Sequence, residues 1–557
     1  MWSAAINAIS LATGLVCFSH LHRQMLARTL TKDELNESVN FMVNERVNFM
    51  VNEKVGFMHN KIDKQRTQIR RLKQEFQRIK KHRRKLTRRL KESDFSCKDG
   101  WCIATEEAKY LFPNGIVVGK KNGKCNYGDS IFSVDVDGKS CPSGDGSVVL
   151  SGKKNKAISG RSVVIGGDNN QAQGDNSIIV GGFANVAGPT TNIFGGEKNV
   201  ALGLHSVIFG GISNNATRHA GSSNIFGGKN NMASGKGSMI FGGFDSNAEG
   251  EESMLALGRE NNAIGDSSMI IGGEQNEASD YMSAIVMGRH NIANGDFSLI
   301  LGGSDNIASG SASIIIGGSD NIASGYGSII VGGSNNNGTS DFSAVFSGFG
   351  NVASASYSSV FGGVINKAIA ADSNIFGGWY NIATGKRSMI FGSFYSNATG
   401  EESMLALGRE NNAIGDSSMI VGGEKNNATE FLSAAVMGRN NVADGDSSVV
   451  LGGSNNIASG SASIIIGGSN NMANGNLSLI SGGEGNKVEG TFSFASGGKE
   501  NALKGDYSSV TGGEKNKATG IFSSISGGFN NFAKGGHASV LGGQNKKAKK
   551  DFSTYPK

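Results

Sequence analysis

From Ser147 onward, apolar and polar residues return with a period of 15. A representative unit is Ser313-Ile-Ile-Ile-Gly-Gly-Ser-Asp-Asn-Ile-Ala-Ser-Gly-Tyr-Gly327. Coils starting at Ser147, Ser162, Ser177, Thr191, Ser206 and Ser223 are spaced 15, 15, 14, 15 and 17 residues apart, and from Ser223 the spacing is 15 to Ser553, giving 27 coils. Counted from its opening residue, each coil has mostly apolar residues at positions 2 to 4, followed in most coils by Gly-Gly. A short β-branched run ended by Gly predicts a strand rather than a helical turn.

Three columns fix the phase. Position 6 is Gly in 26 of the 27 coils, position 9 is Asn in 24, and position 11 is Ala in 24. Gly at position 6 marks a reversal that needs positive φ. Asn tolerates the left-handed region and caps turns, and stacked in register its amides form a ladder. The Ala column predicts an interior site with room for one methyl. Together these columns predict an all-β repeat, a parallel β-roll or β-solenoid with two short strands and two turns per coil. The strand at positions 2 to 4 is apolar on both faces. One face packs within the coil, and the other calls for a partner surface, which points to an oligomer.

Composition agrees with this reading. The 557 residues include 84 Gly and only 4 Pro, which excludes collagen, and 38% hydrophobic residues argue against a disordered linker. Only Pro189, in the 14-residue coil, interrupts the repeat region. A longer period lies over the short one, because residues 250–270 recur unchanged at 400–420, ten coils later.

Ahead of the repeat, residues 1–30 form a signal- or anchor-like apolar segment, uncharged from Trp2 to Ser19. A signal anchor, an uncleaved signal peptide and an organellar presequence all fit it, and the anchor reading makes a membrane a partner through this segment. Residues 31–91 predict an α-helical coiled coil, with heptads over 62–90: Ile62, Ile69, Phe76 and Leu90 at a, and Leu72, Ile79 and Leu86 at d. Residues 61–91 hold fifteen Lys/Arg against Asp63 and Glu75. This run alone carries +13, so the rest of a chain with net charge +6 carries about −7. We read the run as a solvated helix face; nucleic acid is not an expected partner.

Residues 92–146 form a connector holding Cys97, Cys102, Cys125 and Cys141. An even number of Cys in a short Gly- and Asp-rich stretch predicts disulfides and an oxidising compartment, and the spacing does not suit zinc. Asp137-Gly138, between alternating residues, reads as a hairpin turn. Residues 147–557 are the roll itself.

The column order Ser, three apolar residues, Gly, then Ala and Gly resembles the head repeat of trimeric autotransporter adhesins, the YadA-type haemagglutinin-like repeats. Ser463-Ile-Ile-Ile-Gly-Gly-Ser-Asn-Asn-Met-Ala-Asn-Gly475 maps onto it with one added residue at Gly468. The likeness covers residues 147–553. It implies a left-handed parallel β-roll, three chains side by side as a homotrimer, and adhesion to a surface protein or glycan. Family coils are usually 14 residues long, and their membrane-anchoring barrel has no counterpart in this pattern; any anchor is expected at the N-terminal segment.

No catalytic motif, metal site or cofactor is predicted. Among departures from the repeat, Arg259, Arg289, Arg409 and Arg439 follow the position-6 Gly in the four coils where Leu257, Met287, Leu407 and Met437 replace the Gly at position 5. These arginines are the candidate binding residues. The expectation is a non-enzymatic, cell-surface or secreted fibre that binds through the side of the roll. The alternative is an intracellular or particle-associated fibre whose basic coiled coil meets nucleic acid or anionic membrane. A glycan-active solenoid ranks below both; its nearest carboxylate candidates are Glu251-Glu252 and Glu401-Glu402.

Overall fold

The computed structural model describes residues 114–555 apart from 136 and 137, together with Phe112 and the backbone of two short strands, Phe95–Lys98 and Trp101–Ala104. The predicted apolar segment and coiled coil lie outside the described residues. The two short strands form an antiparallel pair whose register sets Cys97 opposite Cys102.

From Asn114 the chain is an all-β parallel solenoid of about 29 coils. Two of these precede Ser147. Gly115–Gly119 pairs in parallel with Ile131–Asp135, which pairs in turn with Val148–Val149. Their columns are degenerate, so the period does not reveal them. Asp137 lies outside the described residues, but the strands flanking the expected Asp137-Gly138 hairpin join separate parallel ladders rather than pairing with each other. The buried Asp135 carboxylate closes this turn instead, accepting the N–H groups of Gly138 (2.9 Å) and Ser140 (2.8 Å). Cys125 and Cys141 are disulfide-bonded with Cα atoms 5.4 Å apart, and Cys141 already lies in a coil strand paired with Lys156.

Each coil contributes one strand to each of two parallel sheets. The first, which we call the Ser strand, is exemplified by Ile314–Ile316; the second, the Ala strand, by Ile322–Ala323. Every strand pairs with its equivalents one coil before and after, as in Ile300↔Ile315↔Ile330 and Ala308↔Ala323↔Gly338. Single parallel bridges at position 7, such as Ser304↔Ser319, add a third line of contact. At about 4.8 Å per coil the ladder extends roughly 140 Å.

Alternation along the strands decides what is inside. Positions 1, 3, 9 and 11 point inward, so Ser313, Ile315, Asn321 and Ala323 are fully buried. Large residues at position 3 meet Ala at position 11, which explains the one-methyl column. The resulting core runs unbroken from Val149 to Ala435, and a second core runs from Ala443 to Ala548.

Positions 6 and 13 favour Gly for different reasons. At position 6, Gly318 has φ of +85°, and a Cβ there would also overlap the carbonyl of Gly333 and the amide of Asn321. At position 13, Gly310 needs no positive φ; a Cβ would collide with the backbone of Gly325 in the next coil. Positions 8 and 15 are also left-handed, yet they hold ordinary residues such as Asp320 (φ 56°) and Phe342 (φ 53°).

Candidate interaction surfaces

The outward face of the Ser-strand sheet is built from positions 2 and 4. Since position 3 is committed to the interior, its neighbours must point away from it, and both columns are largely apolar up to the coil at Ser478. Position 4 carries two stacked ladders of four Phe each. Phe194, Phe209, Phe226 and Phe241 stack with centroids 5.1, 4.7 and 4.6 Å apart. Phe346, Phe361, Phe376 and Phe391 repeat this at 4.7, 4.6 and 4.5 Å. The second ladder precedes the duplicated block just as the first does, so duplication copied the stripe along with the sequence. These phenylalanines recur at coil spacing, so the ladders are legible in the sequence as a column.

Beyond Ser478 this face changes character. Position 4 becomes Ser481, Ser496, Thr511 and Ser526 before Leu541 in the last coil, and position 2, after Leu479 and Phe494, becomes Ser509, Ser524 and Ser539. The apolar stripe therefore has an end within the solenoid.

The four arginines lie in the position-7 column, where they alternate with glutamate: Arg259↔Glu274↔Arg289, and Arg409↔Glu424↔Arg439. The Nε of Arg259 is 2.8 Å from Glu260 and its guanidinium is 3.8 Å from Glu274. Arg409 meets Glu410 at 2.9 Å, and Arg439 meets Glu424 at 3.9 Å. The charges of Arg259, Arg409 and Arg439 are thus answered by neighbours on the same edge, whereas among the described residues no carboxylate lies within ion-pair distance of Arg289. Exposed pairs of this kind contribute little to stability. In the same coils Leu257, Met287, Leu407 and Met437 stand exposed with φ of 60° to 66°. Each of the four donates its N–H to a carbonyl of the preceding coil, Leu257 to Phe241 for example. The ten-coil duplication thus presents two copies of one edge, each with two exposed apolar side chains beside two arginines.

No family model and no curated protein matches this chain. The reading of its surfaces therefore rests on their own chemistry. Glu251 takes a hydrogen bond from Lys236 at 2.7 Å, and Glu401 and Glu402 both bind Arg387, at 2.7 and 2.8 Å. These carboxylates lie exposed in ion pairs. Among the described residues no group of three or more His, Cys, Asp or Glu is placed to hold a metal ion, and no helix is long and apolar enough to cross a membrane.

Two further aromatic clusters form where residues 15 apart in sequence become neighbours across coils. Trp379, Tyr380, Phe394 and Tyr395 form an exposed group in which the two tyrosines stack at 5.1 Å. Phe492, Tyr507, Phe522, His537 and Phe552 form a continuous stack along position 15 of five successive coils.

Proposed function

We propose that this protein is a non-enzymatic, adhesin-like fibre, held at a cell surface or secreted, in which three chains pack side by side through the outward face of the Ser strands. The observation that carries the reading is the pair of apolar columns on that face, with their two Phe ladders. A monomer would leave this stripe in water along some twenty coils, far beyond the few hundred Å² of contiguous apolar surface that single proteins ordinarily expose. The repeat order shared with trimeric autotransporter heads supports the same stoichiometry. Attachment then falls to the remaining side of the roll and its corners.

Light scattering on the full chain tests the assembly. The expected mass is that of three chains, reduced to one when Phe361 and Phe376 are both replaced by Asp. A monomeric wild-type chain overturns it. Antibody labelling of intact against permeabilised source cells tests the location, and labelling only after permeabilisation overturns the surface reading.

A further inference from the structure

The last five coils carry a stripe of lysines on the outward face of the Ala strands. Positions 10 and 12 point outward around the buried position 11. Lys487 stands at position 10 and Lys504 at position 12 one coil on. Lys517 is again at 10, Lys534 at 12, and Lys547 and Lys549 fill both. Register confirms the alignment, with Lys487↔Ala502↔Lys517↔Phe532↔Lys547 in one ladder. The stripe thus offers at least one lysine per coil step of about 4.8 Å.

This arrangement is not the default for the fold. In the same two columns between Ile292 and Asn474 the only charged residues are Lys367 and Asp444. Residues 147–500 carry eighteen Lys/Arg against twenty-eight Asp/Glu, whereas residues 501–557 carry nine against three. Like charges directly opposite one another on a sheet are destabilising. The zigzag between positions 10 and 12 keeps lysines of one column two coils apart until the last coil, while the positive line stays continuous. Glu489 answers the near end, pairing with Lys487 at 2.6 Å and Lys504 at 3.2 Å; these partners hold its carboxyl below the usual range, the Lys487 hydrogen bond most of all. Among the described residues no carboxylate lies within ion-pair distance of Lys517, Lys534, Lys547 or Lys549.

We infer that this stripe binds a linear anionic polysaccharide, sulfated or carboxylated along its sugars, laid parallel to the solenoid axis. The inference names a ligand class for the attachment reading above and rests on it. A line of single charges suits a line of anions better than a planar membrane does. The aromatic stack at position 15 of the same five coils argues against single-stranded nucleic acid, which binds by stacking bases on open ring faces. Here the rings cover one another at 4.7 to 5.1 Å, so Tyr507, Phe522 and His537 present only their edges.

Lysine acetylation of the full chain, read residue by residue by mass spectrometry with and without heparin at about 0.15 M salt, tests this. The expected result is several-fold protection of Lys517, Lys534, Lys547 and Lys549, with Lys229, Lys367 and Lys386 unchanged. Because each lysine is read separately, binding by residues 61–91 does not mask the outcome. Unchanged labelling of the four lysines overturns the proposal. Equal protection by single-stranded DNA, or by phosphatidylserine vesicles, overturns it too, since the partner would then be of another class. As a second measurement, the salt needed to elute the chain from heparin should fall with K517Q/K534Q/K547Q/K549Q. It should fall less with K153Q/K229Q/K367Q/K386Q, and an equal fall counts against the stripe. Neither readout depends on oligomeric state or location, so failure here leaves the trimeric surface fibre standing.

Discussion

The backbone N–H of Asn336 donates to the side-chain oxygen of Asn321, one coil earlier, at 3.0 Å. The Asn321 amide nitrogen in turn donates to Gly333 of the next coil at 3.1 Å and reaches back to Gly317 at 3.5 Å. A fully buried amide thereby has its donors and its acceptor engaged, and the same pattern recurs coil after coil. The column is a structural spine.

Replacing Asn321 by Ala should leave the Asn336 N–H without a partner in the interior. A cost of about 1–3 kcal/mol is expected, read as faster hydrogen exchange at the Asn336 amide. Asn321→Ser should cost less, because Ser246 and Ser396 still accept from the next coil's N–H at 3.3 and 3.1 Å in the coils that carry them naturally. Equal exchange in all three proteins would refute the spine.

Ala435 occupies the inward column that elsewhere holds Ile, Leu or Val in nearly every coil, and the core divides between it and Ala443. Its counterpart ten coils earlier is Ile285. Ala435→Ile should stabilise the junction by about 1–3 kcal/mol, the gain from burying that much more hydrocarbon. Limited proteolysis should cut the wild type near this coil sooner than the variant. Unchanged cutting would show that the backbone has closed around Ala435.

Gly338 is the one Gly in the Ala column. Its φ is not positive, and a Cβ would meet Ser343 Oγ at 3.2 Å, Ser328 Cβ at 3.6 Å and Ile330 Cγ1 at 3.7 Å. Ser343 Oγ has no hydrogen-bond partner to lose, so it can turn aside. Gly338→Ala should therefore stabilise by about 0.4–1 kcal/mol, measured as a higher melting temperature. Gly318→Ala, at φ +85° and against the next coil's carbonyl, should lower it.

Ser393 is the exception in the Gly column at position 6, and it occurs in a coil whose Asn is also replaced, by Ser396. The two hydroxyls bond at 2.7 Å, and the segment forms an extra parallel pair, Gly378↔Ser393 and Trp379↔Phe394. In the first copy the equivalent Gly243 precedes Ser246, and a Cβ on it would come no nearer than 3.3 Å to any neighbour. Ser393 itself has no positive φ, whereas Gly243 stands at φ +96°. Gly243→Ser should therefore cost about 1–3 kcal/mol in backbone strain, and Gly258→Ser, at φ +88° and also packed against Asn261, should cost more. Chemical denaturation of the two variants separates these outcomes.

The sequence by itself determined the solenoid, its period and its phase. A residue type repeated at the same place in 24 to 26 coils reports a site that every coil must satisfy, and Gly, Asn and Ala each have a narrow set of reasons to be there. It also announced that one strand face would be left apolar. It did not disclose the two coils before Ser147, whose spacing and residues stray from the columns while their backbone still pairs. The left-handed residues at positions 8 and 15 were equally hidden, because the stacked backbone imposes that conformation on Asp, Phe, Tyr and His alike, leaving no residue signature. Only the tertiary structure decided which scattered side chains become neighbours. Residues 15 apart in sequence lie one ladder step apart in space, so Phe376 stacks on Phe391 and Arg259 is answered by Glu274. Stacking in register turned a composition rich in Gly into ladders of rings, amides and lysines, and those ladders are the surfaces on which binding is proposed.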